Sequence, residues 1–449
     1  MKMKNFRRRL ALLAPLAAVG LGACNDLLSV ENPGKLNDPF LNDPVLVDAM
    51  VNTAAAGFNT TIDDLVFAGA ILGDEAVNSH NFEQWKRIDL RLIEEDNSIL
   101  NSNIYQPLHA ARFGADSLAG RVKAVYGDTL NNKGRLALAR MKNYAGYSYV
   151  YLGEFFCESP VNLSASLPSD SLLNRAIADF GEALTYAKAV RGATVGTTSA
   201  DSMVALATIG TARAYLQLGN KAKAIEFASQ VVAGQVFSGD FSWNVAYSEN
   251  TTLPNDLLFS VNTGSSRQMG VDASFRNLKV GTVNDARVRH TATAQPAHNA
   301  LTITFSPYLA PSHGGYNAAE TDLSKQTFQK STSIRLASTL EAKYIIAEAQ
   351  GPTAATNTFV NERRAFGAKN AGGTDVTLSG DALMAELRDQ RRRDFFLDGH
   401  RLGDLRRYKA QYGVDQFPSG PHPNVDWGNY GTATCFIPTL NERIGNPNY

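Results

Sequence analysis

Small and aromatic residues recur between about residue 136 and residue 235 at spacings that only paired helices satisfy. Gly146, Tyr149 and Gly153 fall at i, i+3 and i+7, so two residues without side chains flank an aromatic one on one helical face. A partner helix can approach closely at the glycines while the tyrosine fills the groove. The matching partner pattern, Ala176, Phe180 and Ala183, follows only after an insertion from Glu154 to Asp170. A second pair runs without insertion through Ala212, Tyr215, Gly219 and Ala224, inside Met203 to Val232. A third, looser pair is expected at Arg335 to Gln350 and Thr353 to Phe366. Helix pairs of this kind cannot bury both faces alone, so they must stack on one another. Tyr144, Tyr147 and Tyr151 repeat the same spacing and are expected in the core of that stack.

The spacing is that of tetratricopeptide-like repeats, and the fold class it predicts is mainly α. Asp43-Pro44 reads as an N-cap followed by proline at the first helical position, opening an earlier helix toward Gly57. Residues from about 239 to 333 break the pattern. Leu301, Ile303 and Phe305 alternate with threonines in a short strand, while Gly, Asn, Ser and His fill much of the rest. This region is expected to be an irregular, loop-rich lobe with minor β-strands packed on the helical scaffold. The tail from about Gly413 onward is again rich in Gly, Pro and Asn and is expected to return over the helices as coil.

The first ten residues carry five of the 43 basic residues, Lys2, Lys4, Arg7, Arg8 and Arg9. An apolar run from Leu10 to Leu21 follows and ends in Leu21-Gly22-Ala23-Cys24. At 1.5 Å per residue the run spans roughly 18 Å, short of the roughly 30 Å hydrocarbon core of a bilayer. It reads as a targeting peptide whose last four residues look like a bacterial lipobox, making Cys24 the lipidated first residue of the mature chain. Two or more acyl chains hold a protein at a membrane where one binds only marginally. Overall the basic residues match 43 acidic ones, and removing the leader leaves a mild acidic excess, which argues against binding to nucleic acid.

Two further cysteines, Cys157 and Cys435, stand far apart with no spacing that demands a bond. Export would place them in an oxidising compartment, so pairing stays open, with two buried thiols the preferred reading. No C-x-x-C, H-E-x-x-H, G-x-S-x-G or phosphate-binding glycine loop occurs, and His290 with His298 lacks a metal-ligand spacing. The sequence gives no positive reason to propose catalysis, a cofactor or a metal.

From Asp381 to Tyr408 the chain reads DALMAELRDQRRRDFFLDGHRLGDLRRY. Leu383 and Leu387 mark an apolar face, Phe395, Phe396 and Leu397 drive the segment into a core, and Gly399 permits a tight bend. Arg391, Arg392, Arg393, Arg401, Arg406 and Arg407 are interleaved with Asp389, Asp394, Asp398 and Asp404 at three- and four-residue spacings. Internal pairing is therefore expected, and the cluster is read as a structural brace rather than an anion site, with His400 a hydrogen-bonded core residue. The segment resembles the signature of the SusD/RagB family, approximately E-R-R-x-E-L-x-F-E-G-H-R-x-x-D-L-R-R. Gln390, Asp394 and Asp398 depart from the family's glutamates, and Gly403 stands where an aromatic is common. Leu336 to Ala349, with Tyr344-Ile345-Ile346-Ala347-Glu348-Ala349, resembles the family's L-A-E-x-Y-L-x-x-A-E-A helix, and Asn361 to Arg364 its N-x-x-R continuation. Gly73-Asp74-Glu75, Asp285-Ala286-Arg287 and the ending from Ile437-Pro438 through Glu442 to Asn446-Pro447 are similar to further family elements in the same order.

The resemblance implies a lipid-anchored protein of the outer membrane facing the cell exterior. Such a protein binds an oligosaccharide or similar nutrient and delivers it to a SusC-like TonB-dependent transporter. It would be organised as a signal peptide over 1–23, a lipidated linker over 24–34 and a SusD-like body over 35–449. Within the body, helical repeats are expected over about 136–235 and 335–410, the irregular lobe over about 239–333 and the coil-rich tail over about 413–449. Ligand-binding candidates are Asn78, Trp85, Arg87 and Tyr105 from the region after Glu75, with Trp243, Tyr308 and Tyr316 from the lobe. Aromatic faces suit sugar CH groups and amides suit hydroxyls. The rival reading is a helical-repeat adaptor for a protein partner at the outer membrane, which would present an open groove rather than a pocket.

Overall fold

A computed structural model describes residues 43–250, 253–255, 267–296 and 303–449. The leader, Cys24, the linker, His298 and Leu301 lie outside the described residues. The chain divides at Leu46, and residues Val47–Tyr449 form one compact unit. Before that division a 3-10 turn spans Pro44–Leu46, with the Val45 amide donating to the Asp43 carboxylate at 2.9 Å, the cap expected of Asp43.

Helix α1 runs Val47–Leu72, well beyond Gly57. The short strand β1 (Ala76–Asn78) and helix α2 (Glu83–Asp89) follow. Next come a π-helical turn (Leu100–Tyr105), α3 (Gln106–Tyr126) and α4 (Asn132–Phe155). A two-stranded hairpin of β2 (Glu158–Ser159) and β3 (Leu167–Pro168) occupies the insertion, and then come α5 (Ser169–Val190), α6 (Ser199–Gln217) and α7 (Lys221–Val232). From α3 to α7 each helix packs on the next. The close approach of α4, α5 and α6 has the cause read from the spacing: a Cβ on Gly146 would lie 2.6 Å from the Phe180 ring, and Gly210 faces the same ring. Tyr144, Tyr147 and Tyr151 are buried, and the Tyr147 hydroxyl donates to the Leu206 carbonyl at 3.0 Å.

The lobe holds β4 (Ser242–Val245), β5 (Met269–Val271), β6 (Lys279–Val280), β7 (Val283–Asn284), β8 (Gln295–Pro296) and β9 (Ile303–Thr304). Its first two strands pair outside it. β5 runs antiparallel to β1, and β4 pairs with β10 (Ile334–Ser338). Strand β10 corrects the helix expected from Arg335. The helix α8 (Thr339–Gln350) starts only after Ser338, whose hydroxyl accepts from the Glu341 amide at 3.2 Å. α9 (Ala354–Gly367), α10 (Gly380–Asp394) and α11 (Arg401–Tyr412) complete the scaffold, and α8 packs back on α7. Gly399, at φ +85°, makes the bend between α10 and α11.

Cys157 and Cys435 form a disulfide, with Cα atoms 5.3 Å apart, which overturns the preference for two free thiols. The pairing has a local cause. The Phe436 amide donates to the Phe155 carbonyl at 2.8 Å and the Cys157 amide to the Phe436 carbonyl at 2.9 Å, so the tail lies along the end of α4 and brings the two sulfurs together. The tail is mostly coil and includes a 3-10 turn (Val425–Trp427) and a short α-helix, α12 (Leu440–Gly445).

Candidate functional site

Apart from the C-terminal ending, the segments that carried the family resemblance converge on a buried ionic network. Arg287, fully buried, donates to Asp285 at 2.6 Å, Gln390 at 2.7 Å and Asp394 at 3.2 Å. Arg363 forks onto Asp394 at 2.8 and 2.9 Å, and the Tyr344 hydroxyl donates to it at 2.5 Å. Arg391 and Arg407 share Asp404 at 2.7 and 2.8 Å, and Arg407 also forks onto Glu348. Arg401 forks onto Asp74 at 2.7 and 2.6 Å. Burial would raise the Asp394 carboxyl, yet Arg287 and Arg363 outweigh it and hold the group well below the usual carboxylate range. Only part of the pairing is internal to the motif, as with Asp389 and both Arg392 and Arg393. The rest joins α10 and α11 to residues far away in sequence. Gly403 gives room to Glu154, whose carboxylate binds Arg213 at 2.8 and 2.5 Å; a Cβ at Gly403 would lie 2.8 Å from the Glu154 carboxyl carbon. These arginines are occupied, so the motif braces the fold.

A cleft of about 280 Å³ lies over the second half of α1. Thr60, Asp63, Asp64 and Phe67 sit at i, i+3, i+4 and i+7 and form one face of that helix against the cleft. The opposite wall is the β1–α2 loop, with His80 and Phe82, and the first turn of α2, with Trp85. Asn103, Gln268 and Met269 complete the rim. The β1–β5 pairing fixes this rim, because the Ser79 amide donates to the Gln268 carbonyl at 2.7 Å. Asn103 donates to Asp64 at 3.2 Å, and the His80 Nδ1 accepts from the Phe82 amide at 3.1 Å. Phe82 is 51% exposed and lies 4.2 Å, centroid to centroid, from His80, so it offers the open aromatic face. Trp85 is only 4% exposed and rests on Phe67 at 4.5 Å. The lining thus combines aromatic faces with carboxylates, amides and a hydroxyl, the combination that holds a polyhydroxylated ring. Among the described residues no group of three or more His, Cys, Asp or Glu side chains is placed to hold a metal ion.

The seven predicted binding residues do not come together. Trp85 alone lines this cleft. Asn78 is buried behind it, where its carbonyl oxygen accepts from the His80 amide at 2.9 Å and shapes the loop. Arg87 pairs with Glu94. Tyr105 is buried, 4.4 Å from His109 and 5.5 Å from Phe156. Tyr308 is half-buried, its amide bonded to the Arg289 carbonyl at 2.9 Å, and Tyr316 donates to the Ala286 carbonyl at 3.1 Å. Trp243 lines a different cleft. Sequence reasoning missed Asp63, Asp64, Phe82, Asn103 and Gln268. The signal was present at the first two, because adjacent acids inside the apolar stretch TIDDLVFAGAIL have no place on a wholly buried helix.

The fold is a stack of tetratricopeptide-like helix pairs carrying an irregular lobe. No protein-family sequence model and no curated protein sequence matches the chain. Solved structures do. A SusD superfamily protein from Bacteroides fragilis is 15% identical and superposes with a TM-score of 0.64 over 90% of this chain and 98% of its own. One from Bacteroides vulgatus is 16% identical, with a TM-score of 0.63 over 90% and 99%. Surface glycan-binding protein A from Bacteroides thetaiotaomicron, solved in complex with laminarihexaose, is 11% identical, with a TM-score of 0.62 over 90% and 97%. The chain has the SusD-like fold.

Proposed function

We propose that the protein is a SusD/RagB-type surface lipoprotein that binds an oligosaccharide and passes it to a SusC-like TonB-dependent transporter. The observation that carries the binding reading is the cleft in which Phe82 and Trp85 face Asp63, Asp64, Asn103 and Gln268, on a fold shared with a laminarihexaose-binding protein. Capture of this kind needs no bond making. Sugar hydroxyls donate to the carboxylates and amide oxygens, the CH face of the ring rests on Phe82, and water is displaced from both. Anchoring through Cys24 and the transporter partner rest on the lipobox-like leader and on the resemblance. No helix among the described residues is long and apolar enough to cross a membrane.

Titration calorimetry of the purified protein against laminarihexaose, other oligosaccharides and peptides tests the reading. Saturable glycan binding is expected, weakened roughly tenfold by Phe82→Ala, which removes an exposed face worth ~1.4 kcal/mol without opening a core cavity. Turnover of the glycan without retained binding would defeat the proposal, as would selective binding of peptides. A diacylglyceryl group on Cys24 in the native product, found by mass spectrometry, is the expected mark of the anchor.

A further inference from the structure

A second cleft, of about 610 Å³, opens where the N-terminal ends of α1, α4 and α6 meet β4. Along α1, Asp48 of this cleft and Asp63 of the first lie ~22 Å apart at 1.5 Å per residue, so the two are separate places. Its floor is apolar, formed by Leu136 and Met203. One wall is the half-buried Trp243, and the Arg140 guanidinium lies 5.8 Å from its ring centroid. Arg140 donates to the Tyr144 hydroxyl at 3.2 Å through Nε, and among the described residues no carboxylate pairs with it. The Asp48 carboxylate is already held by Lys133 at 2.8 Å. The arginines of the buried network each meet an acid or a set of carbonyls, whereas Arg140 keeps the two terminal nitrogens of its fork for something else. Ser199 and Ser202 line the same cleft, and Ser202 donates to the Thr198 carbonyl at 3.1 Å, leaving its oxygen to accept.

We propose that this cleft is a second carbohydrate site, for a sugar ring bearing a carboxylate. Trp243 takes the apolar face of the ring, Arg140 pairs with the acid, and the serine hydroxyls meet the ring hydroxyls. The planar guanidinium fork matches a carboxylate in two parallel hydrogen bonds, and an indole face beside it suits CH groups. The hydroxyl lining favours a uronate over an acidic peptide. This assignment rests on Trp243 and Arg140 and stands apart from the reading of the Phe82–Trp85 cleft.

Titration of the purified protein with trigalacturonate and, separately, with laminarihexaose distinguishes the two. Trigalacturonate is expected to bind, to bind more weakly as salt is raised, and to lose roughly tenfold or more in affinity in Arg140→Gln and Trp243→Ala. Ser199→Trp, at an exposed position, fills the cleft without touching the core and should abolish the same binding. Phe82→Ala should leave it unchanged while weakening laminarihexaose. Absence of saturable trigalacturonate binding would overturn the proposal, whatever laminarihexaose does. So would full binding by Ser199→Trp, loss through Phe82→Ala, or displacement by an acidic peptide that binds more tightly.

Discussion

Arg401 and Asp74 show how a residue that looks functional in sequence is made structural by its partner. The guanidinium is almost wholly enclosed and forms two parallel bonds to a carboxylate 327 positions away. Removing one member of such a pair leaves the other charge buried and unmatched, which costs about 3–5 kcal/mol. Arg401→Ala should therefore lower the melting temperature and the denaturant midpoint markedly, with ligand affinity unchanged wherever the protein is still folded. An unchanged melt with lost binding would return the motif to the binding site. The same logic separates the aromatic residues of the first cleft. Trp85 is packed on Phe67, so its truncation disturbs core and site together, whereas the exposed Phe82 reports on the site alone.

At the level of elements, the helices were legible because their signals are local. Gly146, Gly153 and Phe180 mark an interhelical contact by spacing alone, and the structure places a Cβ on Gly146 2.6 Å from Phe180. Helix propensity favours alanine over glycine by about 1 kcal/mol, while overpacking costs about 1–3 kcal/mol. Because the Phe180 ring is fixed on both sides by Gly146 and Gly210, overpacking should win. Gly146→Ala is expected to destabilise the protein in urea denaturation; a gain in stability would show the contact to be slack. What sequence did not give were features set by partners far away. Arg335 reads as part of a helix until β4 supplies a strand to pair with, and β1 is a strand only because β5 lies beside it. The disulfide belongs to the same class, since its cysteines are 278 positions apart and are aligned by the tail's hydrogen bonds to the end of α4. Closing so long a loop restricts the unfolded chain by an amount the loop-entropy model puts at about 6 kcal/mol. Cys435→Ser should accordingly lower stability by several kcal/mol and make the tail the first segment to exchange its amide hydrogens. Equal protection in the variant and the parent would mean that backbone bonds alone hold the tail. The candidate cleft was the least legible feature, because its lining is drawn from several separate segments: α1, the β1–α2 loop with the start of α2, the turn before α3 and the start of β5.

The whole molecule buries two opposing sets of titrating groups, and their balance fixes how its stability depends on pH. His109 and His313 are pushed down by burial, to about 3 and about 4 from an ordinary 6.5. They are neutral when folded, so the stability they contribute is complete above pH 6.5 and is lost as pH falls toward those values. Glu75, Asp89 and Asp179 are pushed up by burial, Asp179 to about 6 from 3.8. Their contribution has the opposite sign: it is complete below their unfolded values and lost as pH rises through the folded ones. Between about pH 6.5 and 4 the two sets offset each other. Below that window the raised carboxyls are protonated in both states, so their contribution is complete and no longer changes with pH, while the histidines still resist protonation. Asp394 and Asp404, held well below the usual range against burial by Arg287 with Arg363 and by Arg391 with Arg407, then lose their ion pairs. Their stability is present above pH 3.8 and disappears as pH falls below it. The melting temperature, followed by circular dichroism from pH 8 to pH 2, should therefore change little down to about pH 4 and fall steeply beneath it. A steady decline starting at pH 6.5 would mean that the buried carboxyls do not hold their protons, and an unaltered melt at pH 2 would mean that the arginine network does not carry the fold.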